Sequence, residues 1–151
     1  MENKAACEQL YLKNQLCFPL YACAKEVVRL YTPHLDPLGI TYTQYLVLLV
    51  LWEKKNVTVK QIGETLWLDS GTLTPLLKKL ESKGYVTRTR SRTDERSVEI
   101  ALTKEGWDLR DRAERIPAAV CASLKIPPEE AAQLYDLLYK ALGRLSPEAA
   151  D

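Results

Sequence analysis

The stretch LDSGTLTPLLKKLESKGYVTRTRSRTDERSV, residues 68–98, decides the fold. Leucine recurs in it at positions 73, 76, 77 and 80, the spacing that places side chains on one face of an α-helix. Pro75 suits only an early turn, so the helix is predicted to begin between Asp69 and Thr72, and Gly84 stops it. From Tyr85 the sequence is rich in β-forming residues, and with residues 97–102 it predicts a β-hairpin closed by a polar turn.

Two capping boxes mark the helices before this stretch. Thr41 with Gln44 opens an apolar helix that reaches about Glu53, and Thr58 with Gln61 opens a short helix. The short helix, a tight turn, the leucine-rich helix and the hairpin follow one another directly. That order predicts a winged helix-turn-helix, in which the second helix enters the major groove of DNA.

Positive charge is concentrated in the same region. The chain carries 21 Lys or Arg and 20 Asp or Glu, a net charge of +1. Residues 78–96 hold seven basic and three acidic side chains, a net charge of +4 that leaves −3 for the remainder. A basic patch of this kind favours double-stranded DNA as a partner; the alternative is a hairpin whose charges are only solvated.

The predicted DNA interface combines the outer face of the second helix with the wing. We expect hydroxyls and cations of the helix to contact phosphates and base edges, and wing arginines to enter the minor groove. Asp94 is expected to hold an arginine by a charged hydrogen bond. The candidate DNA-binding residues are Ser70, Thr72, Thr74, Lys78, Lys79, Arg88, Arg90, Arg92, Asp94 and Arg96.

The first helix, predicted from about Asn14 to Tyr31, carries a double apolar stripe. Positions 16, 20, 23, 27 and 30 form one stripe, and positions 17, 21, 24, 28 and 31 form a second beside it. Such a helix is covered on much of its circumference, and in so small a chain we expect a partner subunit to cover it. Pro33 and Pro37 are predicted to end the helix.

The C-terminal third is predicted to be helical. Thr103 caps a helix running to about Ile116, where Pro117 kinks or ends it, and a last helix follows Pro127 and Pro128. The predicted order is α-α-α-α-β-β-α-α, which makes the fold mainly α with a small β-hairpin wing. We expect a single domain over residues 1–151, with dimerisation helices at about 14–40 and 104–146 and the winged helix-turn-helix at about 41–103.

The four cysteines, at positions 7, 17, 23 and 121, indicate neither a zinc site nor a disulfide scaffold. No pair has C-x-x-C spacing, and the single histidine, His34, is expected in a loop. Asn14 as an N-cap and Pro19 near the helix start place Cys17 in or beside the first turn, where the helix dipole favours a thiolate. A thiolate attacks the O–O bond of a peroxide and becomes a sulfenic acid. The alternative is an inert core thiol, which is the interpretation we adopt for Cys23.

Two tyrosines on the second stripe bear on this thiol. Tyr21 lies one turn after Cys17 on the same side, so its hydroxyl can donate a hydrogen bond to the sulfur. Tyr31 lies 14 residues after Cys17, which is about 21 Å along a helix. Tyr31 therefore serves Cys17 only from another subunit.

Two groups of motifs resemble a known family. DSGTLTPLLKKLE at 69–81 and DER at 94–96 are similar to the recognition helix and wing of MarR-type repressors. NQLCFPLY at 14–21 and ITYTQYLVLLVLWE at 40–53 resemble the organic-hydroperoxide-sensing, OhrR-like branch, and the resemblance covers about residues 14–116. It implies a homodimer on a pseudo-palindromic operator with Cys17 as the sensing cysteine. Tyr31 and Tyr42 match tyrosines that bond this cysteine across the dimer, and Cys121 lies near the position of a resolving cysteine in two-cysteine members.

The sequence thus predicts a dimeric transcriptional repressor that releases its operator when an organic hydroperoxide oxidises Cys17, with no cofactor and no enzymatic role. Two alternatives stay open: control by a small phenolic or acidic ligand, which would make Cys17 irrelevant, and a thiol peroxidase using Cys17 and Cys121. The longest apolar run, residues 45–52, is far below the roughly 20 residues of a membrane span, and no signal-peptide core is present. We therefore expect a cytoplasmic protein without a membrane partner.

Overall fold

A computed structural model describes residues 8–91, 94 and 96–145. Cys7 and Arg92 lie outside the described residues, so the predictions made for them stay predictions. Short 3-10 turns occupy Leu12–Asn14 and Asp36–Leu38. The helices are α1 (Cys17–Leu35), α2 (Tyr42–Glu53), α3 (Val59–Leu66), α4 (Ser70–Ser82), α5 (Lys104–Ala113), α6 (Ile116–Leu124) and α7 (Pro128–Leu145), and the strands are β1 (Val57–Thr58), β2 (Val86–Arg90) and β3 (Val98–Leu102).

The described chain forms two compact units, divided between Ile116 and Pro117. The first unit contains α1 to α5 and the sheet, and the second contains α7 and nearly all of α6. No single helix among the described residues is long and apolar enough to cross a membrane. The segments Cys17–Leu38 and Tyr42–Glu53 reach that length and composition only when taken together, and the chain bends by 75° between them.

The leucine-rich face of α4 forms the centre of the first unit, as predicted. Leu73, Leu76, Leu77 and Leu80 are all buried, and the exposed fraction of each side chain is at most 8%. They pack in a core with Leu48 of α2, Ile62 of α3 and Ile100 of β3, which are fully buried. Each such side chain contributes about 1.5–3 kcal/mol relative to an exposed one, so this face fixes the orientation of α4.

Both predicted capping boxes are confirmed. The Gln44 amide N donates to Thr41 Oγ1 at 3.3 Å, and the Thr41 amide N donates to Gln44 Oε1 at 3.0 Å. Thr58 and Gln61 make the same reciprocal pair at 3.2 and 2.9 Å. These bonds satisfy main-chain donors that a helix start leaves unpaired, so they set where α2 and α3 begin.

The predicted hairpin is confirmed and belongs to a three-stranded antiparallel sheet in the order β1-β3-β2. Strands β2 and β3 pair in register from Val86 opposite Leu102 to Arg90 opposite Val98. The additional strand β1 was not predicted; Val57 lies opposite Ile100 of β3. Two residues are too short to show an alternating pattern, so only the tertiary pairing defines β1.

The predicted limits of α1 were wrong at both ends. Asn14 closes a 3-10 turn, and its Nδ2 donates to the Glu8 carbonyl at 2.6 Å, so it does not cap α1, which begins at Cys17. At the other end α1 continues through Pro33 to Leu35. Proline in the last turn costs little more than one main-chain bond, and the continued helix buries Leu35, which is 1% exposed.

The helices after the sheet are more divided than predicted. Thr103 caps α5, accepting a hydrogen bond from the Gly106 amide at 3.0 Å, but α5 ends at Ala113 rather than near Ile116. A separate helix, α6, begins at Ile116 with Pro117 as its second residue, where a missing N–H costs nothing. The last helix follows Pro127 as predicted.

Candidate functional site

Helix α4 has a firmly fixed N-terminus. Asp69 is its N-cap: Oδ1 accepts from the Thr72 amide at 2.8 Å and Oδ2 from the Thr72 hydroxyl at 2.9 Å. The main-chain and hydroxyl bonds from Thr72 lower the pKa of Asp69 below its usual value. The carboxylate therefore remains ionised, and the start of the helix is set at Ser70.

The face of α4 opposite its buried leucines is polar and exposed. Lys78 and Lys79 are exposed, and no acidic side chain in the described part of the chain pairs with either of them. Thr72 donates to Asp69, and Thr74 donates to the Ser70 carbonyl at 2.8 Å, so both hydroxyls keep their acceptor lone pairs for an outside donor. The neighbouring carboxylates on this helix have partners of their own: Asp69 accepts from Thr72, and Glu81 lies 3.6 Å from Arg88.

The predicted wing arginines fall into two groups by the exposure of their side chains. Arg90 and Arg96 are exposed, whereas Arg88 turns towards α4: its Nη1 lies 3.6 Å from Glu81 Oε2, and its side chain is only 22% exposed. The Arg88 Nε is buried without a hydrogen-bond partner. Arg88 thus ties β2 to α4, an internal pairing that sequence reasoning missed because its two partners lie on different elements.

Asp94 organises the tip of the wing. Its Oδ1 accepts from the Arg96 amide at 3.0 Å and its Oδ2 from the Ser97 hydroxyl at 2.8 Å, and these bonds lower its pKa. The Ser97 amide also donates to the Asp94 carbonyl at 2.9 Å. The observed partners of this carboxylate are therefore a main-chain amide and a hydroxyl, while its predicted bond to an arginine side chain stays a prediction.

Cys17 is the first residue of α1 and is exposed. Leu16 precedes it as the N-cap without a side-chain hydrogen bond, and no acidic residue lies in the first turn. At this helix start the Phe18 amide donates to the Gln15 carbonyl at 3.3 Å, and no side-chain oxygen or first-turn carboxylate offsets the helix dipole beside Cys17. Cys121 is exposed on α6. Cys23 is exposed as well, so its expected place in the core was wrong: α1 buries only Leu35 within this chain.

Tyr31, Tyr42 and Tyr45 form a cluster between α1 and α2. The ring centroids of Tyr31 and Tyr42 lie 4.8 Å apart, and those of Tyr31 and Tyr45 lie 5.6 Å apart. Burial raises the pKa of Tyr42, and burial together with the neighbouring phenols raises the pKa of Tyr45 to about 12. Both groups therefore stay protonated and can donate at neutral pH. Sequence reasoning missed Tyr45, which is 2% exposed and resembles an ordinary core aromatic.

Cys17 and the tyrosine cluster lie towards opposite ends of α1, because Tyr31 is near the C-terminal end of this helix. Tyr21, 65% exposed, follows Cys17 by one turn on the same side, but Tyr31 is about 21 Å along the axis. The structure brings Tyr31 and Tyr42 together and leaves Cys17 away from both within one chain.

Two helices expose large apolar side chains. On α1 and just before it, Leu16 is 83% exposed and Leu20 52%. On α7, Leu137 is 63% exposed. The rings of Tyr135 and Tyr139 are also exposed, and their centroids lie 4.6 Å apart. Apolar surface of this extent is typical of helices that pack against another chain.

An open groove of about 650 Å³ lies between the end of α2, strand β3 and the start of α5. Two indoles, Trp52 and Trp107, and two cations, Lys55 and Arg110, line it. Trp52 is held in place because its Nε1 donates to the Gly106 carbonyl at 2.9 Å. The described residues contain no group of three or more side chains arranged to hold a metal ion.

Comparison with known proteins agrees with this geometry. Residues 29–112 match the transcriptional regulator SarA/Rot family. The organic hydroperoxide resistance transcriptional regulator of Bacillus subtilis is 50% identical over 145 residues, covering 96% of this chain and 97% of that protein. AbfR of Staphylococcus epidermidis, solved in its reduced form bound to DNA, is 39% identical with a TM-score of 0.73, covering 94% of this chain and 99% of that one.

A second structure, of disulfide-formed AbfR, has a TM-score of 0.63 at the same identity and covers 95% of this chain and 98% of that one. Reduced MarR of E. coli is 29% identical with a TM-score of 0.71 over 85% of this chain and 96% of its own. The predicted fold class, mainly α with a winged helix-turn-helix, is confirmed by these neighbours. The chain belongs to the SarA/Rot and MarR-type family of winged-helix transcriptional regulators, in the branch of the organic hydroperoxide resistance regulators.

Proposed function

We propose that this protein is a homodimeric transcriptional repressor that binds a pseudo-palindromic operator and releases it when an organic hydroperoxide oxidises Cys17. The unpaired cations on α4 and the exposed Arg90 and Arg96 support DNA as the partner. So does the reduced AbfR relative, which is bound to DNA. A repressor that meets operator DNA in this way acts in the cytoplasm.

The exposed apolar faces of α1 and α7 support the dimer. A second copy packed on them would cover Leu16, Leu20 and Leu137, which are otherwise in water. It would also bring the Tyr31 and Tyr42 phenols of one protomer to the Cys17 of the other. The assignment of α1 and the C-terminal helices to dimerisation, in one domain with the winged helix-turn-helix, is part of this proposal.

The chemistry begins at the Cys17 sulfur. The reactive form is the thiolate, and phenol donors from Tyr21 and the partner's Tyr31 would stabilise it. The thiolate attacks the terminal oxygen of the hydroperoxide, the O–O bond breaks, and the alkoxide leaves and takes up a proton. The sulfur is oxidised to a sulfenic acid and the peroxide is reduced to an alcohol.

Cys121 then resolves this intermediate. Its thiolate attacks the Cys17 sulfenic acid of the partner subunit, an S–S bond forms, and the sulfenic oxygen leaves as water. The exposure of both sulfurs and the disulfide-formed state of AbfR support this step. The new bond favours a dimer arrangement in which the two copies of α4 are spaced differently, so the affinity for the operator falls.

The observation that carries the proposal is the exposed thiol at the first residue of α1, a helix on which Leu20 and Tyr21 are exposed among the described residues. The test measures anisotropy of a labelled operator before and after treatment with cumene hydroperoxide. Wild type should release the DNA, and Cys17→Ser should stay bound.

Cys23→Ser is the matched control because Cys23 is also an exposed thiol on α1. It should release DNA as wild type does. Equal release by Cys17→Ser would refute the thiol switch. Cys121→Ser should be oxidised at Cys17 without forming a disulfide-linked dimer in non-reducing electrophoresis, and a linked dimer in that variant would refute the assignment of Cys121.

The groove lined by Trp52, Trp107, Lys55 and Arg110 favours a second candidate, a repressor controlled by a small aromatic acid. Indoles would stack on the ring and the two cations would pair with the carboxylate. Under that function benzoate would release the operator equally from wild type and from Cys17→Ser.

A further inference from the structure

The turn that follows α1 offers three consecutive carbonyls to side chains from distant parts of the first unit. Arg112 Nη2 on α5 donates to the Pro37 carbonyl at 3.2 Å, and the Tyr85 hydroxyl donates to the Leu38 carbonyl at 3.3 Å. Lys83 Nζ donates to the next carbonyl, that of Gly39. Lys83, Tyr85 and Arg112 are called the turn anchors below.

The position of two turn anchors connects this turn with both DNA-reading elements. Lys83 is the C-cap of α4, and Tyr85 directly precedes β2. Between them lies Gly84, whose φ of 78° lets the chain reverse from the helix into the wing. The segment 83–85 therefore sets the angle between the recognition helix and the hairpin, and its two donors attach it to the end of α1.

The chemistry of these bonds suits a firm attachment. Carbonyls at the C-terminal end of a helix carry the negative end of its dipole, so cations bind there more strongly than neutral donors. Lys83 and Arg112 supply two cations. Leu35 and Leu38, 1% and 7% exposed, hold the turn in the core from the inner side.

At the opposite end of α1 the described residues make no such attachment. Residues 17–30 include no buried side chain, and the helix is an unbroken rod of about 28 Å. A rigid rod of this kind would transmit a displacement of Cys17 to the Pro37–Gly39 turn.

We propose that Lys83 and Tyr85, with Arg112 as their counterpart on α5, are positioning residues that transmit the oxidation state of Cys17 from α1 to the recognition helix and wing. This inference rests on the proposed function, because it assigns the route by which oxidation reaches the DNA-binding elements. The turn anchors touch neither the sulfur nor, in this assignment, the bases. Their effect is a coupling free energy between the two sites.

The experiment compares wild type with a Lys83→Gln/Tyr85→Phe double variant. For each protein, operator Kd is measured by anisotropy in the reduced form and after cumene hydroperoxide, and Cys17 oxidation is followed by intact mass. The ratio of oxidised to reduced Kd is internal to each protein, so a change in basal affinity does not enter it. We expect the ratio to fall by about 10-fold in the double variant, within the usual range of coupling between sites, while the rate of Cys17 oxidation stays at the wild-type value.

Further single variants separate coupling from stability. Thr58→Ala removes the cap of α3 and destabilises the same unit without touching the turn, so its ratio should equal that of wild type. Lys83→Arg keeps a cationic donor, so its ratio should stay close to that of wild type, whereas Lys83→Gln alone should lower the ratio. Tyr85→Phe alone loses one hydroxyl and keeps its ring. If the double variant does not fold, the ratio of oxidised to reduced Kd in Tyr85→Phe shows whether the turn anchors transmit the signal.

The outcomes are distinct. If wild type releases DNA on oxidation and the double variant shows the same ratio within about 2-fold, the turn anchors do not transmit the signal. A ratio that falls equally in Thr58→Ala also overturns the inference, because loss of stability would then account for it. If oxidised wild type keeps its affinity, the proposed function fails and this inference fails with it.

Discussion

The salt dependence of operator affinity should differ between two variants, Lys78→Gln and Arg88→Gln. It tests which of these cations contacts DNA and which one contacts the protein itself. Both changes remove one positive charge from the region predicted to bind DNA. Lys78 is exposed on the outer face of α4, whereas Arg88 is 22% exposed and lies 3.6 Å from Glu81. The structure therefore predicts different salt dependences for two variants with the same formal charge.

The magnitude follows from the DNA phosphates that each variant no longer neutralises. Each neutralised phosphate contributes about 0.9 to the slope of log K against log salt concentration, and replacing Lys78 in both protomers leaves two phosphates without a cation, so the slope should become about 1.8 less steep. Between 50 and 200 mM salt, this makes the loss of affinity about 12-fold smaller than in wild type. Arg88→Gln should lower the stability of the wing but leave the slope within about 0.5 of the wild-type value.

The assay is operator anisotropy with reduced protein at four or more salt concentrations, after thermal melts confirm that each variant is folded. An unchanged slope for Lys78→Gln would refute the assignment of the outer α4 face to DNA. A slope for Arg88→Gln that drops as far as that for Lys78→Gln would refute the inward placement of Arg88.

Three other predictions follow from single contacts. Gly106→Ala places a Cβ 2.1 Å from the Tyr85 carbonyl oxygen, so it should lower the free energy of unfolding by about 3 kcal/mol and Tm by roughly 6–12 °C. Gly143→Ala meets open space and should not lower Tm. Equal Tm values for the two variants would contradict the close packing of Gly106 against Tyr85. Folding raises the pKa of Tyr45 from 10.0 to about 12, so its contribution to the free energy of unfolding is complete below pH 10 and is lost as pH rises towards 12. Tyr45→Phe should therefore lose less stability at alkaline pH, as measured by urea titrations at several pH values. The same pH dependence in Tyr45→Phe as in wild type would argue against this assignment. Arg96→Ala should weaken operator binding without slowing Cys17 oxidation measured by mass, and a coupled loss of both would contradict their separate roles.

The elements that the sequence predicted well are those with a local cause. The leucine spacing of α4 and the reciprocal caps of Thr41 and Thr58 act within one or two helical turns, and each appears in the structure where the sequence placed it. The alternation of the hairpin similarly fixed β2 and β3. These signals decided the winged helix-turn-helix because its elements follow one another directly along the chain.

Features that depend on distant partners were missed. Strand β1 exists because Val57 pairs with β3, and Arg88 faces inward because Glu81 lies across the junction. The start of α1 was misplaced because Asn14 has a competing bond to Glu8, which its N-cap propensity does not reveal. Residues typical of a helix start predicted the place of Cys17, and the family resemblance pointed to Tyr31 and Tyr42. Only the structure shows that Tyr45 packs against Tyr31.

The central claim is that the oxidation state of Cys17 controls operator occupancy, and one titration tests it directly. Operator-bound protein receives cumene hydroperoxide in small steps, and the fraction of DNA released is measured beside the fraction of Cys17 oxidised, determined by mass spectrometry of the same samples. We expect the two fractions to rise together. Complete oxidation of Cys17 with the operator still bound, or release of the operator while Cys17 remains a thiol, would contradict the account.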